Sequence, residues 1–145
     1  MKSSKRNDNE PPLATAKLGW RYHHLGMPTA TPRLGEVHIP KLGIHVSGFG
    51  SSPFGIEWMR FDDDSPIAEV IRTVPHVAFE VDDLEQALRE CGAEVLTPAN
   101  SPSPGVRVAM ILHDGAPIEL IEFKDRGSPG DGPEQSSRTE DAGGR

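Results

Sequence analysis

The sequence predicts an α+β domain made of two tandem modules, each with a strand, a crossover segment and further strands. The main observation is a short pattern that occurs twice and carries one histidine and one glutamate each time. The first copy runs from His24-Leu25-Gly26-Met27 to Ile56-Glu57-Trp58-Met59, and the second from His76-Val77-Ala78-Phe79 to Ile118-Glu119-Leu120-Ile121. Short alternating segments separated by Gly and Pro, together with one amphipathic helix, complete the prediction.

The second module has the clearer elements. Residues 75–81 alternate between a strongly apolar face and a more polar one, as expected for a strand with one face against a helix. A helix is predicted over 82–92, where Asp82 or Asp83 can cap the start and Gly92 can end the last turn. Further strands are predicted at 93–97, 106–112 and 117–123.

The last two of these strands form a hairpin around residues 113–116, and its register points to a pocket. In this register Met110 lies opposite Glu119, so Val108 and Met110 would flank the carboxylate on one face. Both residues are therefore predicted to line the pocket. The strand at 93–97 is expected to stop at Pro98 and to give way to a Pro/Ser loop.

The first module follows the same plan in a shorter form. His24 and Glu57 are 33 residues apart, whereas His76 and Glu119 are 43 apart, so about one helix is missing from the first crossover. An irregular crossover is expected at 33–40 in its place. Strands are predicted at 22–27, 41–47 and 55–61, and Met59 in the last of them is a predicted pocket residue.

The repeat contributes one imidazole and one carboxylate from each module. Two nitrogen and two oxygen ligands suit a single divalent metal. Core packing is a poor explanation, because glutamate is unfavourable in an apolar run such as Pro-Ile-Glu-Leu-Ile. The predicted ligands are His24, Glu57, His76 and Glu119. The alternative is a metal-free relative of the same fold.

Other polar residues are expected to have structural roles. His23 should point to the strand face opposite His24, where it would pack or orient a ligand. His45 would line the pocket only if its strand presented its odd-numbered positions inward. Asp62-Asp63-Asp64 is expected to be a solvated linker, and residues 48–55 a turn and candidate lid.

Composition limits both the folded region and the partners. Residues 1–17 and 124–145 are expected to be disordered tails, leaving one domain over 18–123, divided into modules at 18–66 and 67–123. The domain has seven Lys/Arg and fifteen Asp/Glu, a formal charge of −8, which argues against nucleic-acid binding. No segment is long and apolar enough to span a membrane, and no export signal precedes the domain, so a cytoplasmic location is expected.

Over residues 20–123 the arrangement resembles the vicinal oxygen chelate superfamily, which includes glyoxalase I, methylmalonyl-CoA epimerase, extradiol dioxygenases and bleomycin resistance proteins. The resemblance is carried by Tyr22-His23-His24-Leu25-Gly26, by residues 75–84 and by residues 115–123. It implies that the modules form a curved mixed sheet around a central cavity. It also implies that the metal ligands stand at the two histidine and two glutamate positions above, in the order of bacterial glyoxalase I.

The resemblance further implies a homodimer and a small-molecule substrate. The expected activity is that of a metal-dependent isomerase or lyase, which handles vicinal oxygens through an enolate or enediolate while Glu119 or Glu57 moves the proton. Nickel or zinc is the expected ion, with cobalt, iron or manganese as alternatives. The alternative functions are a metal-free protein that sequesters a ligand, as in antibiotic resistance, and an extradiol-type dioxygenase.

Overall fold

The computed structural model describes residues 5–124. They form one mixed sheet of eight strands that curls into a half-barrel and carries few helices, an α+β architecture. The strands are β1 (Arg21–Pro28), β2 (Val37–Ile39), β3 (Ile44–Ser47), β4 (Ile56–Phe61), β5 (His76–Glu80), β6 (Glu94–Ser103), β7 (Val106–His113) and β8 (Ala116–Phe123). The helices are α1 (Leu13–Ala16), α2 (Glu69–Thr73) and α3 (Leu84–Cys91).

The sheet repeats one topology in its two halves. Its order is β2-β3-β4-β1-β5-β8-β7-β6, so each module places its first strand inside, its last strand beside the first, and its remaining two strands outward. The pairs β1–β4 and β5–β8 are parallel, and the modules join through the antiparallel pair β1–β5. The predicted pair of tandem modules is confirmed. The four strands that carry the repeated histidines and glutamates are the four central ones.

One face of the second module is covered by α3. The side chain of Asp83 accepts a hydrogen bond from the Gln86 backbone N–H at 3.0 Å, and Gly92 ends the helix at a φ of 62°. Leu84 and Ala87 pack against the sheet and are buried there. The buried residues of this core are Trp20, Val81, Leu84, Ala87, Ala109, Ile111 and Leu120.

The first module has no helix between β1 and β2, as predicted, and polar contacts hold its crossover. The Arg33 guanidinium lies 3.7 Å over the Trp58 ring, and its Nε donates to Ser47 Oγ at 3.1 Å. Glu36 accepts two hydrogen bonds from Arg60, at 2.9 and 2.7 Å. The crossover is therefore fixed to the sheet face opposite Glu57, because Trp58 and Arg60 alternate with Glu57 along β4.

The segment between the modules packs on the other face. Ile71 of α2 contacts an apolar cluster formed by Ile44, Val46 and Met59. Met59 follows Glu57 by two residues on β4, so both side chains project from the same face. The contacts of α2 reach β1, β4 and β8, so this short helix lies beside the central strands.

Three details differ from the sequence prediction. Strand β6 continues through Pro98 to Ser103, because it is an edge strand whose irregular register tolerates proline. The short edge strand β2 lies inside the expected irregular crossover. The hairpin turns at Asp114 and Gly115, both at positive φ, while His113 pairs with Ala116; the predicted pairing of Met110 with Glu119 is unchanged.

Parts of the predicted tails fall outside the described residues. Residues 1–4 and 125–145 lie beyond them, and within the expected N-terminal tail α1 brings Ala14 against the main core. None of the helices found between residues 5 and 124 has the length and apolar character needed to cross a membrane.

Candidate metal centre

The two histidines and two glutamates of the repeat lie on one face of adjacent strands. Gly26 on β1 pairs with Glu57 on one side and with His76 on the other. Ala78 on β5 pairs with both His24 and Glu119. Because paired residues in neighbouring strands project to the same face, this register brings all four side chains together from distant parts of the chain.

The side chains converge most closely on Glu119. Its Oε1 lies 3.3 Å from His24 Nε2 and 3.2 Å from His76 Nε2. His24, His76 and Glu119 each offer one ligand atom within 4.8 Å of the others, a spacing that would admit a metal ion. Glu57 stands to one side of this trio, with Oε1 3.7 Å from His24 Nε2.

The four side chains of this cluster are almost fully buried. His24 is 0% exposed, Glu57 and His76 are 4% exposed, and Glu119 is 9% exposed. Within the described residues, the buried Nε2 of His24 and Nδ1 of His76 lack a hydrogen-bond partner. His24 Nε2 is close to two carboxylates and yet forms no hydrogen bond with either. A metal ion would accept its lone pair and would also offset the two buried acids, so the donor set fits a divalent cation.

His23 belongs to this site, although the sequence prediction placed it on the opposite face. Its Nδ1 lies 2.8 Å from His24 Nδ1, and its ring is 5.5 Å from the ring of Phe123. The prediction was wrong because the β1–β5 register shifts between Tyr22 and His24, which breaks the simple alternation. His23 thereby engages one ring nitrogen of His24 and leaves the other directed at the carboxylates.

Gly26 is a second participant that sequence reasoning missed. A Cβ placed on Gly26 would lie 2.1 Å from Cε1 of His76, so the imidazole rests directly on the glycine backbone. Gly26 is already part of the motif His24-Leu25-Gly26 that opens the first copy of the repeat. Only the pairing of Gly26 with His76 explains why a side chain is excluded there.

The segment that joins β3 to β4 contributes an aromatic neighbour. Phe49 places its ring 5.5 Å from the rings of both His23 and His24. It meets His24 edge to face, at an interplanar angle of 78°. Phe49, which belongs to the segment 48–55 predicted as a turn and candidate lid, thus lies against both imidazoles.

The predicted pocket residues flank this cluster on the same face. Met110 pairs with Glu119, and Val108 pairs with Ile121, as the hairpin register predicted. Met59 is 4% exposed and lies in the apolar cluster that α2 covers. Their role in lining a substrate pocket stays a prediction.

His45 lies apart from this centre. It pairs across the strands with Arg60, which alternates with Glu57 and therefore occupies the opposite face. The odd positions of this strand thus do not face the pocket. His45 instead contacts Asp62, the first residue of the predicted solvated linker, at 3.0 Å.

Comparison with solved structures identifies the architecture. A hypothetical protein from Bacillus halodurans matches at a TM-score of 0.53 and 20% identity, over 75% of this chain and 98% of that one. Methylmalonyl-CoA epimerase from Mycobacterium tuberculosis matches at 0.49 and 23%, over 71% and 87%. The half-barrel of two repeated modules is the fold that the resemblance to the vicinal oxygen chelate superfamily implied. A mutant of 4-hydroxymandelate synthase from Streptomyces coelicolor also matches, at 0.43 and 13%, over 75% of this chain and 50% of that one.

The observed strand order confirms the scaffold that the repeat predicted. No protein-family model and no curated protein sequence matches the chain. At these identities the solved structures bear on the fold alone. The chemistry of this chain therefore depends on the side chains that it places on the central strands.

Proposed function

We propose that the chain is an enzyme that uses a divalent metal to isomerise or cleave a small molecule with adjacent oxygen atoms. The observation that supports it most directly is the His24 Nε2 atom, buried without a hydrogen bond between two carboxylates. His24, His76 and Glu119 would hold the ion, with Glu57 as the fourth ligand. Nickel or zinc best suits two nitrogen and two oxygen donors, and cobalt, iron or manganese is the alternative.

The two glutamates would have different roles. Glu119 contacts both imidazoles and would anchor the ion, whereas Glu57 lies near one imidazole and outside the close trio. Glu57 is therefore the better placed carboxylate to take a proton from the carbon next to a substrate oxygen and return it to the neighbouring atom. The metal would supply electrostatic stabilisation of the oxygen on which negative charge develops.

The surrounding residues would keep this proton transfer away from bulk water. Phe49 packs on His24, and Val108 and Met110 would bound the substrate beside Glu119. His23 would hold the His24 ring in one orientation, so that its Nε2 stays directed toward the ion. The role of these residues is to orient and desolvate, while Glu57 carries the proton.

A dioxygenase is a second candidate, and one observation favours it. The three residues within mutual ligating distance are two histidines and one glutamate, the set that non-haem iron oxygenases use with open coordination positions. In that case Glu57 would not be a ligand. Oxygen uptake by the iron-loaded protein with catechols would support this candidate, and inertness toward oxygen would count against it.

Metal binding can be measured first. Full-length protein is stripped with a chelator and titrated calorimetrically with nickel or zinc, beside Glu119→Gln, Glu57→Gln and the control Glu94→Gln on the exposed part of β6. We expect Glu119→Gln to bind the metal at least about tenfold more weakly than the parent. The control Glu94→Gln should bind it with unchanged affinity. The metal content of protein purified without added ions is also measured. Less than about a tenth of an equivalent of metal, together with no binding on titration, would favour the metal-free sequestering alternative.

Catalysis can then be tested without knowing the product. The metal-loaded protein is incubated in deuterium oxide with hydroxyketones and hydroxy acids, and deuterium entry next to the carbonyl is followed by NMR. We expect exchange that Glu57→Gln reduces by about 100-fold or more while it still binds the metal. Equal exchange rates in this variant and the parent protein would show that Glu57 is not the base.

The sequence also suggested a homodimer and a cytoplasmic location, and both stay predictions. The proposed substrate is a small molecule, as is common for proteins of this fold. Nucleic acid is an unfavourable partner, because the negatively charged domain would repel its phosphates.

A further inference from the structure

A second group of metal-binding side chains lies at the outer edge of the first module. His38 on β2 and His45 on β3 are cross-strand partners, and Asp62 directly follows β4. The carboxylate spans both rings: Oδ2 lies 3.2 Å from His38 Nε2, and Oδ1 lies 3.0 Å from His45 Nε2. Two neighbouring strands and the residue after a third thus contribute one donor each.

The two imidazoles are already arranged as a pair. Their ring centroids are 4.1 Å apart and their planes are 5° from parallel. The Nε2 atom of each ring points to the same carboxylate, and one ligand atom from each of the three residues lies within 4.8 Å of the others. To share one ion, the two rings would tilt out of this parallel stack, so that both Nε2 lone pairs point to one position beside the carboxylate.

A fixed positive charge on the same face of the sheet is neutralised. Arg60 pairs across the strands with His45 and so projects from the same face. Its guanidinium forms two hydrogen bonds to Glu36, which leaves the negative charge of Asp62 available to a cation.

We propose that His38, His45 and Asp62 form a second site for a divalent transition-metal ion. Two imidazole nitrogens and one carboxylate oxygen suit zinc, nickel or copper, with water completing the coordination. The group is separate from the central one, because His45 projects from the sheet face opposite Glu57. The side chains of His38, His45 and Asp62 are 45%, 18% and 34% exposed, so an ion can enter from solvent.

An ion bound at this site would stabilise the outer edge of the first module. Strand β2 has three residues and forms the edge of the sheet, paired only with β3 in the described region. An ion held by one residue of β2, one of β3 and one after β4 would clamp this edge in place. It would also hold the end of the crossover that Arg33 and Glu36 attach to the sheet.

The test is a zinc titration of the full-length parent protein followed by histidine-ring NMR. We expect the ring signals of His38 and His45 to shift together, while those of exposed His113 stay fixed. Amide exchange of residues 37–39 should slow by about 100-fold at a zinc concentration one hundred times the dissociation constant, provided that opening the edge releases the ion. Ring signals that do not respond to zinc would overturn the proposal without requiring any variant to fold.

Variants then separate this site from the central one. His38→Ala and His45→Ala should each bind one equivalent of zinc fewer than the parent, whereas His113→Ala should match it. If the central cluster binds no metal, the count falls from one to zero; if it binds one, the count falls from two to one. An unchanged zinc count in both edge variants would contradict the proposal, whatever the central cluster does.

Discussion

Gly26 lies directly beneath the imidazole of His76. These residues are partners across the antiparallel pair β1–β5, and a Cβ on Gly26 would come within 2.1, 2.5 and 2.7 Å of three ring atoms. Each distance is far inside van der Waals contact. The position of a proposed ligand therefore depends on the absence of a side chain fifty residues earlier in the sequence.

Replacing this glycine should disturb the site more than the fold. Gly26→Ala would push the His76 ring away from Glu119, and we expect at least about tenfold weaker metal binding with a stability loss of about 1–3 kcal/mol. Calorimetric titration and urea unfolding measure the two effects. Gly50→Ala is the matched control, because a Cβ there meets no atom within 4 Å. Unchanged affinity in the Gly26 variant would show that His76 is not a ligand.

His23 should act on the metal through His24. Replacing it with Phe removes the partner at 2.8 Å from His24 Nδ1, and we expect metal affinity to fall by about 10–100-fold. His23→Asn should recover part of the loss, because its amide oxygen can accept the hydrogen bond that a metal-ligating His24 would donate from Nδ1. His113→Phe, at the exposed end of β7, should bind as the parent does. Equal losses for the Phe and Asn variants would indicate packing and not orientation.

The ion pair of the first crossover should stabilise the fold in a pH-dependent manner. Hydrogen bonding to Arg60 lowers the pKa of Glu36 to about 2 from an ordinary value of 4.5. Because the pKa is lower in the folded state, the stabilisation is fully present above about pH 4.5 and is lost as the pH falls toward 2.

The matching measurement compares the parent protein with Glu36→Gln by urea unfolding at pH 7, 4 and 3. We expect the variant to be less stable at pH 7 and the difference to shrink at the lower values. Glu94→Gln removes an exposed charge elsewhere and should show a smaller difference at pH 7. A gap between parent and Glu36 variant that stays constant with pH would mean that the carboxylate charge contributes nothing.

The helix of the second module should support the sheet through one main side chain. Leu84 is 0% exposed and packs in the core beneath α3, so Leu84→Ala should cost about 2–5 kcal/mol of unfolding free energy. Leu34 is 100% exposed, and Leu34→Ala should change stability by less than about 0.5 kcal/mol. Equal unfolding midpoints in urea for the two variants would contradict this assignment of the core.

Local patterns were sufficient for much of the architecture. Alternation predicted β5, the hairpin pattern predicted β7 and β8, and capping residues predicted α3. The shorter spacing in the first copy predicted a crossover without a helix. The pairing of Met110 with Glu119 also followed, because a hairpin register depends on only a few residues around its turn. One error arose at β6, where an irregular edge strand accommodates Pro98. The other arose at His23, where a register shift overrides alternation.

The sequence by itself determined which residues are repeated: two histidines and two glutamates, one of each per module, on predicted strands. Such information is local, since side-chain periodicity and turn chemistry act over a few residues. The tertiary structure decided that Glu57 stands apart from the other three, that Gly26 supports His76, and that His38, His45 and Asp62 meet. Each of these depends on pairing between strands distant in the chain, which no short stretch of sequence specifies.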